Sequence, residues 1–109
     1  MRKTDKKINN ALREALTEVC DLALEDYEGF TWLTHFASYD HFPDSLSIVC
    51  VFNTNEQLEK ANEASFRATI KEKLVSIDIK VKDIRQHVSF DTEENCKREN
   101  KGKWHERFR

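Results

Sequence analysis

Seven side chains in this sequence could ligate a soft metal or serve as nucleophile and base: Cys20, Cys50, Cys96, His35, His41, His87 and His105. A tetrahedral zinc site gathers its ligands through short spacings such as C-x-x-C or H-x-x-x-H, and the chain contains neither, so no metal is expected. A cysteine nucleophile needs a nearby base and an electropositive, partly open setting. Only Cys96, followed by Lys97 and Arg98, has cationic neighbours, and neighbouring charge lowers a thiol pKa without building a site. Cys50 sits in an apolar run and Cys20 at the margin of a helical stripe, where a small core residue is the simpler reading. Glycine occurs only at Gly29 and Gly102, which excludes the glycine-rich loops that cradle phosphates. No cofactor is expected and no residue is assigned a catalytic role.

Two further arrangements could carry chemistry. Pro43-Asp44 followed by Asp78-Ile79-Lys80 is similar to the nuclease pattern PD-(D/E)-x-K, in which two carboxylates hold Mg²⁺ and a lysine polarises the attacking water. On a strand, Asp78 and Lys80 would share a face, but a whole helix intervenes between Asp44 and Asp78, so a Mg-dependent nuclease is a remote alternative. The second arrangement is cationic. Lys6 and Lys7, with Arg2 and Lys3, and Lys97, Arg98, Lys101 and Lys103, with Arg107 and Arg109, could contact phosphates, and Trp104 or Phe108 could stack on an unpaired base. A pI near 6.1 opposes that reading, because an acidic centre repels the same backbone.

The elements that must position these groups follow from periodicity. Ile8, Leu12, Ala15, Leu16, Val19, Leu22 and Ala23 recur at steps of three and four, predicting a long N-terminal helix over residues 5–26 with Thr4 as its N-cap and Gly29 beyond its end. Residues 30–39 alternate, with Phe30, Trp32, Thr34 and Phe36 on one strand face and Thr31, Leu33, His35 and Ala37 on the other. Residues 40–44 have turn chemistry, and 45–53 form a second strand, paired antiparallel with the first and apolar on both faces. A second helix is predicted over residues 56–75, bent or broken near Asn62 because Leu58 and Ala61 point away from Phe66, Ile70 and Leu74. Alternation at Ile77, Ile79 and Val81, and again at Val88 and Phe90, predicts one or two further strands. Residues 92–109 read as a basic, polar C-terminal tail with two aromatic anchors, packed on a single α+β domain of residues 1–91 or free of it.

The chain has 109 residues, three cysteines and a net charge of -2, enough to bury roughly two-thirds of its unfolded surface without disulfides or metal. An odd cysteine count and an opening Met-Arg-Lys-Thr-Asp without an apolar signal segment predict a cytoplasmic, soluble protein, with no run long enough for a membrane span. The net charge conceals segregation. Residues 14–63 hold eleven acids and one base, Lys60, whereas both termini are basic. In the first helix the lysines come first and the acids last, opposing the helix dipole but suiting an antiparallel partner helix. A strand apolar on both faces in a chain with only two helices to cover it leaves a face for a second subunit. The expectation is therefore a non-enzymatic interaction or regulatory module acting as a homodimer or on another protein, with Trp32, Phe36 and Trp104 as contact residues. A nucleic-acid-associated protein using its basic termini is the alternative.

Read as a whole, from Met-Arg-Lys-Thr-Asp-Lys-Lys at 1–7, through Gly29-Phe30-Thr31-Trp32-Leu33-Thr34-His35, Phe42-Pro43-Asp44-Ser45-Leu46 and Val49-Cys50-Val51-Phe52, to His87-Val88-Ser89-Phe90-Asp91, the chain resembles a family of small uncharacterised bacterial proteins, some labelled Fis family transcriptional regulators. The resemblance implies a DNA-binding helix-turn-helix near the C-terminus, where the residue pattern gives strand and tail. It supplies no site residues.

Overall fold

A computed structural model describes residues 3–109; Arg2, counted above among the basic residues, lies outside them. The first helix, α1 (Lys3–Asp26), buries Leu12, Ala15, Leu16, Val19 and Ala23 along one stripe. It begins before Thr4, so Thr4 lies inside the first turn and does not cap it. The chain reverses through Gly29, whose φ of +87° and whose closeness to the Gln57 side chain both exclude a Cβ there.

β1 (Phe30–Phe36) and β2 (Ser47–Phe52) pair antiparallel, and β3 (Val88–Thr92) adds parallel to β2, giving a mixed sheet ordered β1-β2-β3. A bulge interrupts β1: Phe30 lies opposite Phe52, yet Trp32 lies opposite Val51. One extra residue reverses the alternation. Phe30 therefore joins the core against Phe52 and Phe66, with ring centroids 5.7 and 5.3 Å away, while Trp32 emerges on the opposite face. The predicted common face of Phe30 with Trp32, Thr34 and Phe36 is corrected accordingly.

Between β2 and β3 the predicted second helix is two. α2 (Asn55–Lys60) is capped by Thr54, which accepts from the Gln57 N–H at 3.1 Å, and α3 (Glu63–Ser76) by Asn62, which accepts from the Ser65 N–H at 3.0 Å. The break falls where the two apolar stripes part company. Residues 77–82 form no strand. Asp78 takes a left-handed conformation, φ 63°, and the amides of Asp78 and Ile79 return to the carbonyls of Val75 and Leu74, the two bonds of a Schellman stop. Ile77 and Ile79 alternate because they flank that turn, so among the described residues only one further strand, β3, exists.

The core under one sheet face joins Leu12, Leu16, Val19 and Ala23 of α1 to Ile48, Cys50 and Phe52 of β2, and to Phe66, Ile70 and Leu74 of α3. The other face carries Val49 and Val51 between Trp32, Thr34 and Phe36 on one side and Ser89 and Asp91 on the other. It is covered by the segment read above as a polar tail. Thr92 caps α4 (Glu93–Asn100) by accepting from the Asn95 N–H at 3.0 Å, and α5 (Trp104–Arg107) follows. Glu93 and Glu94 open α4 while Lys97 and Arg98 close it, the order the helix dipole favours. Cys96 of α4 and Val51 of β2 are both fully buried. The second face is thus covered over Val51 by the same chain, with Phe36 and Ser89 left exposed at its margins, and the tail is two short helices. Among the described residues no helix is long and apolar enough to cross a membrane.

Candidate interaction surface

The aromatic residues predicted as contacts hold the C-terminal helices to the sheet. Trp32 and Trp104 meet edge to face at 4.9 Å, and Phe108 stands 5.1 Å from Phe36 and 5.3 Å from Trp104. Both indoles are fixed by one carboxylate: Trp32 Nε1–H donates to Glu93 Oε1 at 2.6 Å and Trp104 Nε1–H to Glu93 Oε2 at 3.2 Å. Beside them Arg107 donates through Nε and Nη2 to both Asp91 oxygens, and through Nη1 to Asn100 Oδ1 at 2.9 Å. Burial pushes the Asp91 carboxyl up, but the Arg107 bonds, the Thr92 N–H, the Arg107 charge and Asn95 together more than offset it and hold the pKa below the ordinary carboxylate value. Of the three aromatic contact candidates only Phe36 is largely exposed, at 45%. Glu93 and Asp91 were missed in the sequence, and Arg107, read there as a phosphate contact, is engaged by Asp91, Asn100 and Glu99. The one available signal was the spacing of Trp104 and Phe108, one helical turn apart on a common face.

The basic candidates are not gathered into one patch. Lys6 and Lys7 lie on α1, over one sheet face; Lys97 and Arg98 lie on α4, and Lys101 and Lys103 in the α4–α5 turn, on the other. Arg98 donates to Asn95 Oδ1 at 2.8 Å, and acidic Glu93, Glu94 and Glu99 share its helix. Trp104, half-buried and in ring contact with Trp32 and Phe108, is not a free stacking platform. α5 is a single turn with its aromatic residues against the sheet, which leaves it no recognition-helix face.

The remaining titratable groups are dispersed. Burial pushes the Cys50 thiol up to about 12 and raises Cys96 as well. His87 is buried with Nδ1 2.7 Å from the Leu46 carbonyl, a structural bond, while His41 and His105 are exposed. Asp78 and Lys80 lie on a turn and not on a strand, and Asp44 is not brought into the groove they line. Among the described residues no group of three or more His, Cys, Asp or Glu could hold a metal ion.

The free edge of β1 differs from all of these. The Ile48 N–H donates to the His87 carbonyl at 2.7 Å, so alternate groups of β2 bond β3 and the others bond Trp32, Thr34 and Phe36. The backbones of Leu33 and His35 consequently face away from the sheet. α1 runs beside this edge in the opposite direction, with Asn9 near His35 and Cys20 near Leu33. Its Asn9, Arg13, Thr17, Cys20 and Asp21 form one wall of a groove completed by Leu33, Thr34 and His35. The Leu33 N–H donates to the Cys20 sulfur, and Tyr39 Oη–H donates to Asn9 Oδ1 at 2.7 Å. Burial, then the Arg13 charge, lower the His35 pKa, so its ring is neutral near pH 7. Leu24, one turn beyond Cys20, is 53% exposed on the same flank.

No protein-family model, curated protein or solved structure matches the chain.

Proposed function

We propose that the protein is a cytoplasmic, non-catalytic interaction module that pairs with a second copy of itself through the free edge of β1 and the adjoining flank of α1. The observation that carries this reading is the meeting of a strand edge that pairs with no other strand of the chain, and of whose middle residue only the Leu33 N–H is engaged, by Cys20, with a helix whose charge is complementary to itself. Arg13 and Asp21 stand two helical turns apart, about 12 Å along the axis, on the wall of the edge groove. A two-fold axis beside the middle of β1 would set the two β1 strands antiparallel, and with them the two α1 helices. Arg13 of one copy then faces Asp21 of the other twice, and the basic beginning of each helix lies toward the acidic end of its mate. Pairing would extend the sheet to six strands and occupy the outward backbone groups of His35 and the outward carbonyl of Leu33. Because the centre of the second sheet face, at Val51, is buried within one chain, the support for association has moved from the face of β2 to the edge of β1. Three free thiols, two of them buried, favour a reducing compartment.

Light scattering coupled to size-exclusion chromatography tests this. The wild type should be a dimer at low salt and dissociate as salt rises. Arg13→Asp should shift it to monomer, and Arg13→Asp with Asp21→Arg should restore the dimer. A wild type that stays monomeric at high concentration and low salt, or a double variant no better than the single one, would refute the pairing.

A further inference from the structure

A second groove lies at the opposite end of α1 from the acidic cluster, bounded by Lys7, Ile8 and Ala11 of α1, by Phe42 and Pro43 of the β1–β2 connection, and by residues 77–80 after α3. Its volume is about 560 Å³, within the range of sites that hold one small molecule. Its floor is apolar: Ile79 is 7% exposed, and Ile8, Phe42 and Ile77 pack partly buried against the core. The Schellman turn at Asp78 builds it, by turning Ile77 and Ile79 back toward α1 instead of continuing outward. At the rim stand Lys7 and Lys80, one on each wall, both exposed and neither in an ion pair among the described residues; Asp78 is the one acid lining the groove. The rim is therefore net +1 above an apolar trough.

We infer that this groove binds a small amphiphilic monoanion, a medium-chain fatty acid, with the alkyl chain on Ile8, Ala11, Phe42 and Ile79 and the carboxylate between Lys7 and Lys80. Apolar burial supplies the attraction for the chain. The two ammonium groups choose the sign of the head group, since a cationic head would meet like charge and a neutral one would leave both lysines without a partner. The inference is independent of the β1 pairing, which uses the other flank of α1.

The test is a titration of the full chain with decanoate below its micelle concentration, following the methyl resonances of Ile8, Ile77 and Ile79, with decanol and decyltrimethylammonium as parallel arms. Decanoate should shift these methyls saturably. Lys7→Ala with Lys80→Ala should weaken binding about tenfold, the loss of two solvent-exposed charge contacts. Ala11→Trp, which fills the trough from the half-buried helix position that lines it, should abolish it while circular dichroism stays native. Should Ala11→Trp unfold the chain, Lys7→Glu with Lys80→Glu serves in its place, and should reverse the preference toward decyltrimethylammonium. Equal affinity for the three head groups, or shifts that never saturate, would overturn the assignment.

Discussion

The two faces of the sheet are closed by different physics. Under α1 and α3 the chain buries Leu12, Leu16, Ile48, Phe52, Phe66, Ile70 and Leu74 almost completely, and polar bonds contribute little. Under α4 and α5 there are too few apolar groups for that. Phe36 and its neighbours stay partly open, and the closure relies on one carboxylate shared by two indoles and one guanidinium gripping Asp91. A long helix can present a stripe wide enough to bury a sheet face by area alone. Two helices of eight and four residues cannot, and polar clasps supply the geometry that area does not.

The largest effect belongs to the first face. Phe66 is 1% exposed and lies within ring-contact distance of Tyr27, Phe30, Phe52 and Phe90. Phe66→Ala should cost about 3–5 kcal/mol through lost burial and the cavity left behind, read as a drop in the urea midpoint with unchanged slope. That is a large share of the roughly 5–15 kcal/mol available to such a domain. The second face should yield less. Trp104→Ala removes a half-buried indole that meets Trp32 and Phe108, and leaves part of Glu93 unpaired. A loss of about 2 kcal/mol is expected, concentrated in faster hydrogen exchange across α4 and α5 while the α1 amides keep their protection. If Trp104→Ala cost as much as Phe66→Ala, or exposed α1 equally, the division between the two faces would collapse.

What could be read in the sequence follows the same division. The α1 stripe, the two-sided β2 and the break at Asn62 were legible because burial by area imposes a period, and a period survives in one dimension. Ile77, Ile79 and Val81 misled because alternation is shared by strands and by a helix stop that flips at one left-handed residue; Asp78 at the position where glycine is usual hid the stop. The bulge at β1 left no trace, since Phe30 and Trp32 are equally suited to either face. The C-terminal cover was illegible for a deeper reason. Glu93, Asp91 and Arg107 act as single partners across the fold, and residues 92–109 are polar enough to pass for a solvated tail. The edge of β1 could not be located without strand order, although the charge layout of α1 that adjoins it was plain.

The smallest effect, and the most specific to the second face, is its response to acid. Asp91 and Arg107 have side chains only 18% and 19% exposed, so solvent screens their pairing less than that of the surface ion pairs elsewhere. The folded pKa of Asp91 lies below its ordinary value of 3.8. Its contribution is therefore fully present above that value and is lost as pH falls through the lower, folded one. Lowering pH from 5 to 2 should loosen α5 before it melts α1, visible as a change in the fluorescence of Trp32 and Trp104 ahead of the loss of helical circular dichroism. Other carboxylates titrate in the same window, so the informative quantity is the difference from Asp91→Asn, which cannot ionise. That variant should be less stable by about 1 kcal/mol at neutral pH, the net worth of one hydrogen bond, and the gap should narrow as pH falls below the ordinary carboxylate value and Asp91 is protonated. An unchanged gap at both ends of the titration would mean that the clasp is held by packing of Trp104 and Phe108 alone, and that the two faces differ in area but not in kind.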